Sequence, residues 1–298
     1  MSEATAPRHL PDRLASRTKD IVYSWETLLL LVLLAVFTIN SFASPYFLDP
    51  WNLSDATFNF TEKALIALAM ALLIISGEID LSVAAIVALA STAMGYIASI
   101  GGGTGAMVLA GILTGLACFK LPSIVVTIGT MSLFRGMSFI VLGDGVFKGY
   151  PADFAFFGQG YVWWVFSFEC GFFLCAAAIY AMLLHKTNFG RLIYAIGNNE
   201  TAALFSGVRV ARVKFTLFML TGLMSGIASV MLTSRLGSTR PSIAMGWELE
   251  AITMVVLGGV SILGGSGTIP GVVIAGFIMC FVTFGFGLLN VPGIVMSI

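Results

Sequence analysis

Charge is the property that this sequence has least of. Only 10% of its 298 residues are charged, whereas 58% are hydrophobic, and a typical soluble domain is about 25% charged. This scarcity excludes an ordinary soluble protein. The 15 basic and 15 acidic residues balance, so no net charge draws the chain to nucleic acid. The composition therefore predicts a polytopic membrane protein in a lipid bilayer.

The sequence is also poor in residues that bind metals or carry out redox chemistry. Its four cysteines lie in apolar stretches without a C-x-x-C pair, and its two histidines are far apart. Such cysteines are typical of small buried side chains, so we expect no metal site and no catalytic residue. No small-residue cleavage site follows the first apolar run, and we expect that run to remain in the protein as a span.

Long apolar runs are abundant, and they indicate that residues 24–298 form a single transmembrane domain. Runs of about 17–25 apolar residues are long enough to cross a bilayer as helices. We predict about nine such spans, at residues 24–44, 61–76, 82–100, 104–118, 121–142, 161–184, 214–233, 248–263 and 268–290. Between them, the segments SGEIDLS and GGSG are predicted to be breaks or tight turns. Breaks at membrane depth are tolerated only where protein or water covers the backbone.

Lysine and arginine are distributed unevenly between the loops, and this distribution predicts the orientation. Basic residues concentrate in the N-terminal tail, 1–23, and around the loop 185–213. Cytoplasmic loops are enriched in such residues, so both segments are predicted to be cytoplasmic. The loops 45–60, 143–160 and 234–247 would then face the outside.

Two carboxylates, Glu78 and Asp80, lie in SGEIDLS between two of the apolar runs. Ionised groups are costly there and often functional. One interpretation is structural, with Asp80 or Ser82 capping the helix that follows. A second places these residues on a translocation pathway, a gate or a subunit contact, and a third makes the acids part of a proton relay. We favour the cap for Asp80 and the pathway or gate for Glu78.

Arg135 is a further charged residue inside an apolar run, in TMSLFRGMSF. An arginine at that depth must pair, reach backbone carbonyls or extend its head group to the interface. Structural pairing is the simpler interpretation, and lining of the pathway is the alternative.

The basic loop contains a stretch that suits a short amphipathic helix, Glu200–Phe205. Asn198 or Asn199 can cap its start, and Gly207 can end it. Its apolar side would consist of Ala202, Ala203, Leu204 and Phe205. A helix of this length is marginal in water by itself, so its exposed apolar side is expected to dock into a partner. The alternative is an ordinary cytoplasmic loop.

Two pairs of glycines are spaced four residues apart, Gly111 with Gly115 and Gly222 with Gly226. This spacing lets helix backbones approach closely. We interpret it as packing within the chain.

Four blocks of the sequence, taken in order, resemble the permease subunits of ribose-type sugar ABC importers. The blocks are SGEIDLSVAAIVALAS, LPSIVVTIGTMSLFRGM, NFGRLIYAIGNNETAALFSGVRVARVKFTLFMLTGLMSGIASV and ELEAITMVVLGGVSILGGSGTIPGVVIAG. The resemblance runs from about Trp51 to Gly287, and four ordered blocks are more specific than any one. The glutamate at position 78, with SVAA after the Asp, resembles branches that transport rhamnose or related small sugars.

The resemblance implies an all-α transmembrane bundle of about ten spans with broken helices, in the bacterial inner membrane. Two permease copies, alike or different, would form the translocation path for a monosaccharide. Two ATPase subunits would carry ATP and magnesium, so this chain would bind no cofactor and would not be an enzyme. A periplasmic sugar-binding protein would deliver the sugar. Asn198–Gly207 would be the coupling helix that sits in a groove of the ATPase.

The chain departs from the family pattern at two places. Relatives usually have about a dozen more residues at the junction 118–119, and they continue into a final span after NVPGIVMSI. These departures leave open a truncated scaffold subunit with impaired transport. The broken helices and carboxylates also suit an ion-coupled secondary carrier, which remains the other alternative.

Overall fold

The computed structural model describes residues 24–117 and 124–291, and these residues form twelve α-helices with almost no sheet. The helices are α1 (Trp25–Ala43), α2 (Pro50–Ile75), α3 (Val83–Ser99), α4 (Thr104–Ala117), α5 (Ile124–Leu142), α6 (Phe156–Gln159), α7 (Phe168–Lys186), α8 (Asn188–Asn198), α9 (Glu200–Phe205), α10 (Val210–Leu236), α11 (Trp247–Leu257) and α12 (Ile269–Leu288). A 3-10 turn, Ala152–Ala155, precedes α6. This architecture confirms the all-α helical bundle. The tail 1–23, the junction 118–119 and the last residues, 292–298, lie outside the described parts.

Two small antiparallel ribbons complete the fold. Strand β1 (Phe147–Lys148) pairs with β4 (Ser238–Thr239), and β2 (Tyr161–Trp163) pairs with β3 (Phe166–Ser167). Both ribbons lie in loops between the long helices.

Five helices are long and apolar enough to cross a membrane, namely α1, α2, α7, α10 and α12. Three more, α3, α4 and most of α5, are apolar but shorter. The protein is therefore a multi-pass membrane protein, as the composition predicts.

The predicted span 248–263 is wrong as a full crossing. Helix α11 has 11 residues, which makes it about 16 Å long at 1.5 Å per residue, about half of a bilayer core. It ends where Gly259 takes a φ of +85°, a backbone conformation that glycine adopts without steric cost. The residues up to Thr268 then form the loop that contains GGSG. Helix α11 is thus a broken helix of the expected kind.

The predicted outer loop 45–60 is also wrong in its second half, because α2 begins at Pro50. Asp49 caps this helix by accepting the N–H of Trp51 at 3.4 Å. Pro50 occupies the first helical position, where no N–H is needed. Because the first residues of α2 are polar, hydropathy places the start of this helix too late.

The sixth predicted span, 161–184, starts too early. Tyr161–Ser167 belong to the ribbon of β2 and β3, and α7 begins only at Phe168. Ser167 caps it by accepting the N–H of Cys170 at 3.3 Å.

Helix α2 is the centre of the bundle. Every residue from Ala64 to Ile75 is at most 1% exposed, and α7, α10, α11 and α12 all pack against this helix. A helix that is apolar all round must be enclosed on all sides or lie in lipid, and here other helices enclose it.

The glycine pairs bring α4 and α10 into backbone contact. A Cβ atom at Gly115 would lie 2.3 Å from the carbonyl oxygen of Gly222, and one at Gly226 would lie 2.9 Å from that of Gly111. The interpretation of these pairs as packing within the chain is confirmed.

The loops gather at the two ends of the bundle. At one end, the turn after α2 meets α8 and the loop after α11, as the bond from Gly265 N–H to the Ile75 carbonyl at 2.9 Å shows. At the other end, near the start of α2, Tyr161 donates to Asp55 at 2.6 Å. Helix α2, about 39 Å long, separates these two ends. The end of the bundle at which α2 finishes is called the junction end, and the end at which α2 begins is called the far end.

Candidate functional site

The segment SGEIDLS is a compact connection between α2 and α3. Gly77 has a φ of +86°, and its N–H bonds to the carbonyl of Ile74 at 2.8 Å, while the N–H of Glu78 bonds to that of Leu73 at 3.2 Å. This is the Schellman arrangement, in which a glycine in the left-handed conformation satisfies the last carbonyls of a helix. The break is therefore a regular helix end, exposed at Gly77 and buried from Asp80 onward, apart from the half-buried Leu81.

Asp80 supports the start of α3. Its Oδ1 atom accepts the backbone N–H of Ser82 at 2.9 Å and the Ser82 hydroxyl at 2.8 Å. Ser82 occupies the N-cap position but makes no capping bond with its side chain. These two bonds order the residues just before α3. The cap stays a prediction for Asp80, and the Ser82 side chain does not make it. Whether either residue also serves a pathway or gate stays a prediction.

Glu78 pairs with Lys214 of α10. The Lys214 Nζ atom lies 2.8 Å from Oε1 of Glu78 and 2.7 Å from Oε2 of Glu200. The exposed fractions of the three side chains are 8% for Lys214, 14% for Glu78 and 56% for Glu200. We call these residues the charge triad. It connects the break after α2 to the start of α9 through one lysine.

Four glycines bring three backbone segments together beside the triad. Gly265 donates its N–H to the Ile75 carbonyl at 2.9 Å. A Cβ atom at Gly197 would lie 1.8 Å from that same oxygen, and one at Gly264 would lie 3.1 Å from the nitrogen of Gly77. These distances leave no room for a side chain at Gly197 and little at Gly264, and Gly77 is favoured by its φ of +86°. We call Gly77, Gly197, Gly264 and Gly265 the glycine junction.

Side chains of α8 reinforce this junction. The hydroxyl of Tyr194 donates to the carbonyl of Gly267 at 2.6 Å, and burial raises the pKa of this phenol above its ordinary value. The amide of Asn198 donates to the carbonyls of Tyr194, at 2.8 Å, and Gly265, at 3.3 Å. Asn198 therefore fastens the end of α8 to the loop after α11 and does not cap α9.

The predicted short helix exists as α9, with the expected bounds, Glu200–Phe205, whereas its coupling role stays a prediction. Asn199 caps it by accepting the N–H of Ala202 at 2.9 Å. Gly207, with a φ of +83°, ends it by donating to the Leu204 carbonyl at 3.0 Å. The sequence reading missed that the preceding residues form a separate helix, α8, whose Ile193 is buried against the bundle.

The predicted apolar side of α9 is divided between the protein and its surroundings. Ala203 is buried, whereas Ala202 is exposed. Leu204 is 60% exposed and Phe205 86%. Helix α9 is therefore anchored by one small residue and presents two large apolar side chains outward.

Arg135 lies far from the triad. Its Nη1 atom donates to the carbonyls of Pro241, at 2.8 Å, and Ile243, at 2.7 Å, in the far-end loop between β4 and α11. It thus reaches carbonyls, one of the options that its sequence position allowed. A pathway role for Arg135 stays a prediction.

A second polar group, which sequence reasoning missed, lies midway along α2. Glu62 is fully buried and accepts from Nε of Arg235 at 2.7 Å, while Lys63 pairs with Glu250 of α11. The available signal was the adjacent Glu62 and Lys63 inside one long helix. Their partners, in α10 and α11, are more than 170 residues away along the chain.

Two cavities adjoin this second group. Their volumes are about 370 and 440 Å³, and both are lined by Asn59, Lys63 and Thr283. Within the two described ranges, no group of three or more His, Cys, Asp or Glu side chains could hold a metal ion.

Comparison with known proteins shows the family to which the chain belongs. Residues 52–297 match the family described as the branched-chain amino acid transport system permease component. The chain belongs to this permease family.

The relatives of the permease are bacterial import subunits. It is 36% identical to the L-arabinose ABC transporter permease protein AraH of Azospirillum brasilense, over 98% of this chain and 91% of the relative. It is 38% identical to the ribose import permease protein RbsC of Bacillus subtilis, over 85% of this chain and 82% of the relative. It is 30% identical to the autoinducer 2 import system permease protein LsrD of Salmonella typhimurium, over 92% of this chain and 87% of the relative. No solved structure matches.

The comparisons confirm that the chain resembles permeases of sugar ABC importers, and they do not favour an ion-coupled carrier. The matched range contains the charge triad, the glycine junction and α9. The alignment with AraH covers 315 positions, more than the 298 residues of this chain. That relative therefore has residues without a counterpart in this permease. The rhamnose-like branch stays a prediction.

Proposed function

We propose that this permease is the membrane-spanning subunit of an ATP-driven importer for a monosaccharide, and that α9 is its contact with a separate ATPase. The observation that carries the proposal is the path from α9 to the bundle. Glu200, in the first turn of α9, shares Lys214 with Glu78, which follows the end of the central helix α2. A displacement of α9 therefore acts directly on the break between α2 and α3.

The docking surface is the exposed pair Leu204 and Phe205. Large apolar side chains at the tip of a short helix suit insertion into a groove of another protein, in the manner of helix-in-groove recognition. The glycine junction holds α8, the helix directly before α9, against the bundle, so the position of the docked ATPase would fix the position of α8 and of the turn after α2.

The orientation follows from the same assignment. An ATPase that uses cytoplasmic ATP requires α9, and with it the junction end, to be cytoplasmic. The far end, with the two ribbons, then faces the periplasm and receives a sugar-binding protein. This agrees with the concentration of Lys and Arg near the junction end. A second permease copy completes the translocation path.

The substrate class rests on the relatives. Two of them are named for the pentoses L-arabinose and ribose, whereas the family description names branched-chain amino acids. The identities of 36% and 38% favour the sugar.

The test is reconstitution of the permease with an ABC ATPase and a sugar-binding protein from the same organism. We expect the ATPase to co-purify, and vesicles to take up labelled L-arabinose or D-ribose only when ATP is present on the ATPase side. Uptake of labelled leucine alone would overturn the substrate class. Uptake driven by an ion gradient without ATPase would overturn the ATP coupling, and ATPase binding without flux of any of the three solutes would indicate a scaffold.

A further inference from the structure

The second polar group borders an open groove. The two cavities meet at Asn59, Lys63 and Thr283, and their walls come from α2, α10, α11 and α12. Lys63 stands at the middle of α2, about 18 Å along the helix from Ile75. Charged side chains at such a depth typically face a water-filled cavity or a transport path.

Two ion pairs border this groove. Arg235 bonds through Nε to Glu62 at 2.7 Å and through Nη1 to Asn59 at 3.3 Å. Lys63 pairs with Glu250. Lys63 and Arg235 therefore each have their own carboxylate, whereas Arg240, which also lines the second cavity, forms no ion pair within the described part of the chain. A neutral solute can use the remaining donor and acceptor positions of the two pairs, and the Arg240 guanidinium adds further donors.

An aromatic ring completes the lining. The Lys63 Nζ atom lies 5.4 Å from the centroid of the Trp247 ring, and Trp247 is half-buried. An aromatic face beside fixed charged groups combines an apolar surface with hydrogen-bond donors and acceptors. This combination matches a polyhydroxylated ring, which has C–H faces and hydroxyl edges. The cavity volumes of about 370 and 440 Å³ lie within the range of small-molecule sites.

We infer that Asn59, Lys63, Arg235, Trp247, Glu250 and Thr283 line a transit site for a neutral polyhydroxylated solute of monosaccharide size. We call it the solute groove. The inference rests on the proposed function and adds a location and a ligand chemistry to it. Trp247 offers the stacking face, and the two ion pairs and Asn59 offer hydrogen bonds to hydroxyl groups.

The first test blocks the groove. Thr283 is exposed on α12, so Thr283→Trp adds bulk to open space without disturbing the core. In vesicles with the ATPase and binding protein, we expect this variant to take up L-arabinose or D-ribose at least about tenfold more slowly than the wild type. Thr38→Trp is the matched control, since Thr38 is an exposed threonine on the peripheral helix α1, and it should retain wild-type uptake within about twofold. Equal uptake by Thr283→Trp and the wild type would overturn the inference.

The second test concerns the aromatic face. Trp247→Phe keeps a ring and should retain most uptake, whereas Trp247→Leu keeps apolar bulk without a ring and should lose about tenfold. The ATPase should co-purify equally with both variants. Equal uptake by these two variants would remove Trp247 from the site.

A binding measurement separates failure of the groove from failure of the importer. In purified Thr283→Cys protein, saturating L-arabinose or D-ribose should slow maleimide labelling at position 283 and leave labelling of Phe205→Cys unchanged, with the wild type as the background for native cysteines. Absence of protection by both sugars would overturn the solute groove even if uptake occurs. Protection without ATP-dependent uptake would leave the groove standing and reject the proposed importer.

Discussion

The Nζ atom of Lys214 lies 2.8 Å from Oε1 of Glu78, although 136 residues separate them along the chain. Both side chains are largely buried, which makes each dependent on the other, because a buried charge without a partner is costly. The contact places the start of α10 and the end of α2 under one electrostatic constraint. Glu200 brings α9 under the same constraint.

Replacing the shared lysine should weaken both links at once. Lys214→Met leaves Glu78 and Glu200 facing each other without their cation, and we expect a loss of about 2 kcal/mol of folding stability, less than for a fully buried pair because Glu200 is partly exposed. Glu200→Gln should lower the folding stability less than Glu78→Gln does, because Glu200 is the more exposed of the two. Thermal unfolding in detergent measures the order. A Lys214→Met protein as stable as the wild type would show that the triad is not a stabilising contact.

An acidic residue on the docking surface should release the ATPase. Leu204→Asp puts a carboxylate where an apolar side chain is expected to enter a groove, at a cost of a few kcal/mol, about 2 or more. Co-purification should fall sharply while membrane insertion is unchanged. Leu48→Asp is the matched control, because Leu48 is similarly exposed, at 55% against 60%, but lies at the far end. Undiminished co-purification with Leu204→Asp would rule out this surface.

The two acids of SGEIDLS should respond differently to loss of charge. Asp80→Asn keeps an oxygen that accepts the Ser82 N–H, so it should fold and transport nearly as the wild type does. Asp80→Ala loses that acceptor, with an expected cost of about 1 kcal/mol. Glu78→Gln removes the charge that Lys214 faces and should reduce uptake more than Asp80→Asn at equal expression. The reverse order of uptake would invert these two roles.

A single methyl group should disrupt the glycine junction. At Gly197 it would lie 1.8 Å from the Ile75 oxygen, so Gly197→Ala forces backbone segments apart at a cost of about 3 kcal/mol or more. Gly129→Ala is the control, since a Cβ atom there meets nothing within 4 Å and the helix of α5 favours alanine. Thermal unfolding and ATPase co-purification should both fall for Gly197→Ala alone. Equal behaviour of the two variants would show that the junction relaxes freely.

Labelling from the two sides of the membrane tests the orientation. Phe205→Cys, at the junction end, should react with an impermeant maleimide only from the cytoplasm, and Trp164→Cys, at the far end, only from outside. These two positions are 86% and 82% exposed, whereas Gly197 and Gly158 are too tightly packed for a cysteine. The opposite pattern would invert the topology and remove the ATPase contact from α9.

The sequence allows local features to be predicted better than distant ones. Helix α9 could be placed with its cap and its glycine end, because both signals lie within a few residues of the helix. The partner of Glu78 could not be found, since nothing local distinguishes Lys214 from other basic residues of that loop. The start of α2 was misjudged for another reason. Its first turns are polar because they pack against the far-end ribbon, where Asp55 accepts from Tyr161, so hydropathy alone begins the helix too late.

The solute groove shows the same limit. Glu62 and Lys63 are adjacent in sequence, yet they point to different partners, Arg235 of α10 and Glu250 of α11. Only the packing of α2 at the centre of the bundle brings those partners together. A periodicity analysis treats both as isolated charges near the start of a span.

The glycine junction is a rigid contact, because it joins backbone to backbone without intervening side chains. Contacts through long side chains absorb small displacements, because a side chain can change rotamer while its backbone stays in place. Where the Gly197 backbone rests directly on the Ile75 carbonyl, that compliance is missing. We therefore expect a small shift of α8 to move the end of α2 with it. A conformational change of the docked ATPase would thus move α8 and the central helix α2 together.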